Sequence, residues 1–129
     1  MNEVYKNTDI SDLPSEVWKP ITGIDDGYFV SNLGRVKAIK YNAKRGKVVV
    51  KILRQRAIAH RRGVLIVSIW GKNGNKMVQL LVAKAFIENP LQKPQVYHKN
   101  GDLTCNFVEN LERVTEKEYY KNDAGRISE

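Results

Sequence analysis

Val96-Tyr97-His98-Lys99-Asn100-Gly101-Asp102, followed after seven intervening residues by Asn110-Leu111-Glu112-Arg113-Val114-Thr115, is the stretch that decides how this chain is read. It holds one of the two histidines and the single cysteine, Cys105, and it closes on Thr115-Glu116-Lys117-Glu118. That tetrad is a capping box, in which the threonine hydroxyl accepts from the Glu118 amide while the Glu118 carboxylate reaches back. A helix is therefore expected from here to about Asn122, leaving 123–129 as a polar tail. One cysteine rules out an intrachain disulfide and any Cys-x-x-Cys zinc clamp, so the fold has to stand on packing.

Upstream of this stretch the charge is segregated. Residues 1–26 carry six acids and two bases, residues 27–87 fourteen bases and no acid, and residues 88–129 eight acids and six bases. The net charge of +8 thus comes from a central block at +14 between flanks at −4 and −2. A surface that needs only solubility mixes its signs, so a carboxylate-free block of this length points to a polyanion. The bases are spread over expected strands rather than along one amphipathic helix, which favours nucleic acid over a membrane surface. A chain of 129 residues bounds one compact unit or two small modules packed together. No apolar run approaches the roughly 20 residues that span a bilayer. The first six residues lack a basic-then-apolar signal, so the cytoplasm, of a host cell if the chain is phage encoded, is the expected compartment.

Taken in order, residues 1–13 are polar and aperiodic and read as a flexible tail. Trp18 is an aromatic anchor before a turn over 23–27. Residues 28–30 read as a strand, 31–34 as a tight turn and 35–40 as a second strand, with Val36 and Ala38 on one face and Arg35, Lys37 and Ile39 on a wet one. A basic loop over 41–46 leads to a β-branched strand over 47–53, and the basic runs 54–56 and 60–62 flank a short connector. Residues 64–70 form the most apolar strand, and Asn73-Gly74 signals a hairpin turn with the return strand from Met77. Residues 80–87 have helical composition, with Leu81, Val82 and Ala85 inward, and stop before Asn89-Pro90.

Residues 16–37, from Glu16-Val17-Trp18-Lys19-Pro20-Ile21 to Ser31-Asn32-Leu33-Gly34-Arg35-Val36-Lys37, resemble the small DNA-binding module that precedes the nuclease domain in phage and intron-encoded HNH homing endonucleases. Residues 78–115 resemble that nuclease domain, through Leu81-Val82-Ala83, Phe86, Asn89-Pro90, Lys93-Pro94-Gln95-Val96, His98, Gly101, Asn106, Val108-Glu109-Asn110-Leu111 and Val114-Thr115. The resemblance implies an α+β fold: a small antiparallel β-rich DNA-binding module over 14–62, then a ββα-metal domain without structural zinc over 63–122. It also implies a strand histidine acting as general base, here His98, and an asparagine that orients it, here Asn110. A single Mg²⁺ or Mn²⁺ would be held by a residue just before the base and by a histidine or asparagine of the following helix.

At those two ligand positions this chain has Tyr97 and Tyr119. A neutral phenol, with a pKa near 10, is a poor ligand for a hard divalent cation. Gln79 stands where the family usually has histidine, Asn100 where aspartate is common and Arg113 where tryptophan is usual. The expectation is therefore a double-stranded-DNA-binding protein of homing-endonuclease descent, phage or mobile-element encoded, with cleavage lost or severely reduced and no resident metal. The candidates for phosphate contact are Arg35, Lys37, Lys40, Lys44, Arg45, Lys47, Lys51, Arg54, Arg56, Arg61 and Arg62. One alternative is a working Mg²⁺- or Mn²⁺-dependent nicking enzyme, with Asp102 or Asn122 as weak substitute ligands. Another is an HNH-fold inhibitor or adaptor bound to a host or phage protein. The resemblance also implies a further helical recognition module after the nuclease domain; with only 123–129 following, weaker readout or recovery of it by homodimerisation is expected.

Overall fold

The computed structural model describes residues 3–69 and 73–127, apart from the side chains of His60 and of 122–127. Four antiparallel strands form the first sheet in the order β1-β2-β3-β4: β1 (Trp18–Pro20), β2 (Tyr28–Ser31), β3 (Val36–Asn42) and β4 (Lys47–Ile52). The alternation expected along 35–40 is what packs this sheet, since Val36 and Ala38 are buried. Between β2 and β3 the Ser31 hydroxyl accepts from the amides of Leu33 and Arg35. Gly34 turns the chain there at φ +83°, where a Cβ would meet the Cβ of Asn106 at 2.9 Å. Both the dihedral and the close approach demand glycine. Beyond the core, β3 and β4 continue as a hairpin whose end is closed by Asn42, with both its backbone carbonyl and its side chain accepting from the Arg45 amide.

The second sheet, β5-β6-β7, is built from β5 (Gln55–Ile58), β6 (Val64–Ile69) and β7 (Gly74–Met77). Residues 55–58, read from the sequence as a basic flank and the start of a connector, instead pair along β6 from Gln55 opposite Val67 to Ile58 opposite Val64. The return strand begins at Gly74 rather than Met77, and Trp70-Gly71-Lys72 lie outside the described residues. Helix α1 (Val78–Phe86) starts two residues earlier than its composition suggests and buries Val78, Leu81, Val82 and Ala83. Its C-terminal end is closed by Arg113, whose guanidinium donates to the carbonyls of Ala83 at 2.9 Å and Ile87 at 3.1 Å. Arginine at this position adds a second donor to the Ala83 carbonyl, which already accepts from the Ile87 amide, and satisfies the Ile87 carbonyl past the helix end.

The third unit is β8 (Gln95–His98) paired antiparallel with β9 (Leu111–Val114), then α2 (Glu116–Ile127). The capping box forms as read, with Glu118 N to Thr115 Oγ1 at 3.1 Å and Thr115 N to Glu118 Oε1 at 2.8 Å. The helix runs to Ile127, so most of the expected tail at 123–129 is helical backbone.

Two expectations about boundaries give way to packing. The division at 62/63 cuts the β5–β6 pair, and one buried cluster runs from Ile21, Val30 and Val36 through Leu65 and Val82 to Val96 and Leu111. The modules therefore share a core centred on α1. The segment before residue 14 is not loose either. Val4–Lys6 form a short 3-10 helix, Tyr5 packs against the core, and the carbonyls of Asn7, Asp9 and Ser11 accept from Arg35. No described helix is long and apolar enough to cross a membrane.

Candidate functional site

β8 delivers His98 at its last position, where the ring is 3% exposed. Gly101, at φ +77°, donates its amide to the His98 carbonyl and turns the chain into the 99–107 loop. The imidazole Nε2 lies 2.7 Å from Asn106 Oδ1, while Asn106 Nδ2 is buried without a hydrogen-bond partner among the described residues. Burial lowers the His98 pKa; the Asn106 bond and the charge of Asp102 act the other way and are outweighed. The ring is therefore neutral at pH 7.

Asn110, expected to orient His98, does a different job. Its side chain donates to Asn100 Oδ1 (3.0 Å) and to the Cys105 carbonyl (2.9 Å) and accepts from the Asn100 amide (3.0 Å), while its backbone carbonyl accepts from Lys99 (2.8 Å). Placed at the end of a 3-10 turn just before β9, it spans the loop and staples it. Asn106 is the side chain bonded to the ring, and its own position is set by the first sheet: Gly34 abuts it, and the Val108 amide donates to the Asn32 carbonyl at 2.9 Å. The sequence offered Asn106 only as one match among several in the nuclease resemblance.

Tyr97 is buried beside His98 in β8, and its ring meets Tyr119 of α2 edge-on, with centroids 5.6 Å apart and planes at 89°. Tyr119 in turn contacts the exposed Tyr120 at 5.9 Å. Asp102 accepts at one carboxylate oxygen from the amide and hydroxyl of Thr104. The Asn122 side chain lies outside the described residues. Among those described, no three His, Cys, Asp or Glu side chains converge. Gln79 keeps a buried Oε1 without a hydrogen-bond partner among the described residues.

The basic candidates separate into groups. Arg35 belongs to the interior: its side chain is fully buried, bidentate with Glu16 at 2.6 and 3.0 Å, and bonded to three backbone carbonyls. It is withdrawn from the phosphate contacts, because its bonds and its burial leave it nothing to offer a ligand. Lys37 and Lys40 are half-buried, each with its ammonium 4.1 Å from a ring centroid, Trp18 and Tyr28 respectively. Lys44, Arg45 and Lys47 crowd the end of the β3–β4 hairpin, all exposed, with Lys51 further along β4. Arg54 and Arg56 are exposed at β5, and Arg61 and Arg62 at the turn into β6.

A histidine strand, a second strand and a helix, joined through one core to a basic antiparallel sheet, place the chain in the HNH homing endonuclease family, to which it belongs. The NUMOD4 motif matches residues 16–70, the first sheet and on through β6. Among particular relatives, an uncharacterized HNH endonuclease of Acanthamoeba polyphaga mimivirus is 40% identical over 111 residues, covering 81% of this chain and 25% of that protein. DNA endonuclease I-HmuI of Bacillus phage SP01 is 34% identical over 109 residues, 84% of this chain and 58% of the phage enzyme. The solved structure "DNA binding and cleavage by the HNH homing endonuclease I-HmuI" matches with a TM-score of 0.64 at 31% identity, over 85% of this chain and 59% of that one. The chain thus spans a quarter to three fifths of the length of these relatives.

Proposed function

We propose that the chain binds double-stranded DNA in the cytoplasm of a host cell, through the basic end of the β3–β4 hairpin and the arginines of β5 and its following turn, and that it does not cut what it binds. The observation that carries this reading is the Tyr97–Tyr119 ring contact at the two places where the family resemblance puts metal ligands. The residues present do not suit a divalent cation. A phenol is neutral at physiological pH, Tyr97 is turned into an aromatic contact, and the amide of Asn110 is already used by the loop. His98 keeps the protonation state of a base, yet at 3% exposure it offers little access to a water beside a phosphodiester.

Binding is supported by Lys44, Arg45, Lys47, Lys51, Arg54, Arg56, Arg61 and Arg62, all exposed in a stretch with no carboxylate. Neutralising about six phosphates implies a loss of roughly 10³ in affinity between 50 and 200 mM salt. Gel shifts on duplex DNA across that range test this. The expected result is a steep linear fall of log affinity with log salt, made shallower by replacing Lys44, Arg45 and Lys47 with glutamine. A salt-independent affinity, or no binding at the lowest salt, would refute it and leave a protein partner as the better reading.

A further inference from the structure

We propose that the concavity on the core side of the β3–β4 hairpin binds unpaired nucleotides of DNA, with the base on its apolar floor and the phosphates on its lysine rim. This goes beyond duplex binding and does not require it. The register places Ala38, Lys40 and Asn42 on one face of the hairpin, opposite Lys51, Val49 and Lys47. Near the body of the protein that face is core: Tyr28, Ala38 and Leu53 belong to the buried cluster. Where the hairpin runs past the core, the same face opens into a cavity of about 410 Å³, lined also by Lys40, Lys44, Val49 and Lys51.

Three features define what fits. The floor is mostly apolar, with Ala38, Val49 and Leu53 beside a Tyr28 ring that already carries the Lys40 ammonium 4.1 Å from its centroid, and such a surface suits the flat face of a base. The rim carries three lysines and none of the lining residues is acidic, so the ligand is an anion. Asn42 also lines the cavity; its Oδ1 accepts from the Arg45 amide, and its Nδ2 is a donor suited to the edge of a base. Stacked bases in a duplex hide their faces and show only groove edges and phosphates, so a duplex makes no use of an apolar recess. An unpaired nucleotide presents a flat ring and a phosphate together, and sequence-tolerant binders of single strands combine aromatic floors with basic grooves in this way.

The test compares two short strands of equal length and charge on the full chain by fluorescence anisotropy: an oligothymidylate and its abasic counterpart, which keeps every phosphate but has no base. The expected result is that oligothymidylate binds about tenfold tighter or more, from the contribution of a single inserted base. Val49→Arg fills the floor while adding a cation, and should bring the two strands to within about twofold by weakening oligothymidylate binding, with abasic binding retained or increased. Tyr41→Ala, at a lining position whose residue is 68% exposed, should reduce the preference as well. Equal affinity of the wild-type protein for the two strands would overturn the proposal, since attraction of phosphates alone then accounts for binding. So would a preference unchanged in both variants. Duplex gel shifts in the same variants keep this outcome separate from the duplex reading, because Arg45, Arg54, Arg56, Arg61 and Arg62 are untouched.

Discussion

The guanidinium of Arg35 donates to both carboxylate oxygens of Glu16 and to three carbonyls of the preceding segment, whereas Lys44, nine residues later, stands in solvent. In a charge tally the two are equal, and nothing in the block of bases separates them. The alternation read along 35–40 even placed Arg35 on the wet side, because a side-chain period reports a face and not what covers it. Glu16 registers the pairing: burial pushes its carboxyl up, but the Arg35 bonds, the Leu13 amide and Ser31 outweigh that and hold it below its ordinary value. Its contribution to stability is present above the unfolded carboxylate pKa and is lost as pH falls through the depressed folded one. Arg35→Ala strands a buried carboxylate and should cost about 3–5 kcal/mol in urea unfolding, while Lys44→Ala should leave the midpoint within about 0.5 kcal/mol. His98 has the opposite chemistry with the same direction in pH. Its folded pKa lies below the ordinary value of about 6.5, so the unfolded chain binds the extra proton first and stability falls as pH drops below that value. A His98→Gln variant should lose that part of the slope between neutral pH and the carboxylate range, read from unfolding midpoints across pH; an unchanged slope would show that the buried imidazole is not its source.

At the scale of elements, sequence signals worked where a local chemistry fixes the chain and failed where pairing does. The Thr115–Glu118 box was legible because both bonds lie within four residues, and both are present. Thr115→Ala should cost about 1 kcal/mol, seen as a lower unfolding midpoint with the first turn of α2 frayed in amide exchange; no change in either would mean that packing alone holds the helix start. Strand β5 was missed because Arg54, Arg56, Arg61 and Arg62 give 54–62 the look of a solvated connector, and only its ladder to β6 makes 55–58 a strand. Asn106 shows the same limit inside the candidate site. The family resemblance drew attention to Asn110, yet the loop folds so that Asn106 reaches the ring and Asn110 ties the loop ends.

At the scale of the whole molecule, the HNH resemblance implied an α+β fold with a ββα unit behind an antiparallel β module, and the structure is α+β and similar to that of an HNH homing endonuclease. The boundary between them was not legible, because the residues that join the modules are ordinary core side chains, Val36, Leu65, Val82 and Leu111 among them, each equally at home in two separate cores. On the proposed reading, in which no metal ties β8 to α2, this shared core holds the frame and the Tyr97–Tyr119 contact adds about 0.5–1.5 kcal/mol beyond its buried area. The most direct measurement is to incubate supercoiled plasmid with the full chain and Mn²⁺ or Mg²⁺, under salt conditions where gel shifts show the DNA bound. The expected result is closed-circular DNA that stays closed. Nicking that appears with the metal and vanishes in His98→Ala would contradict the central claim and make the chain a working endonuclease.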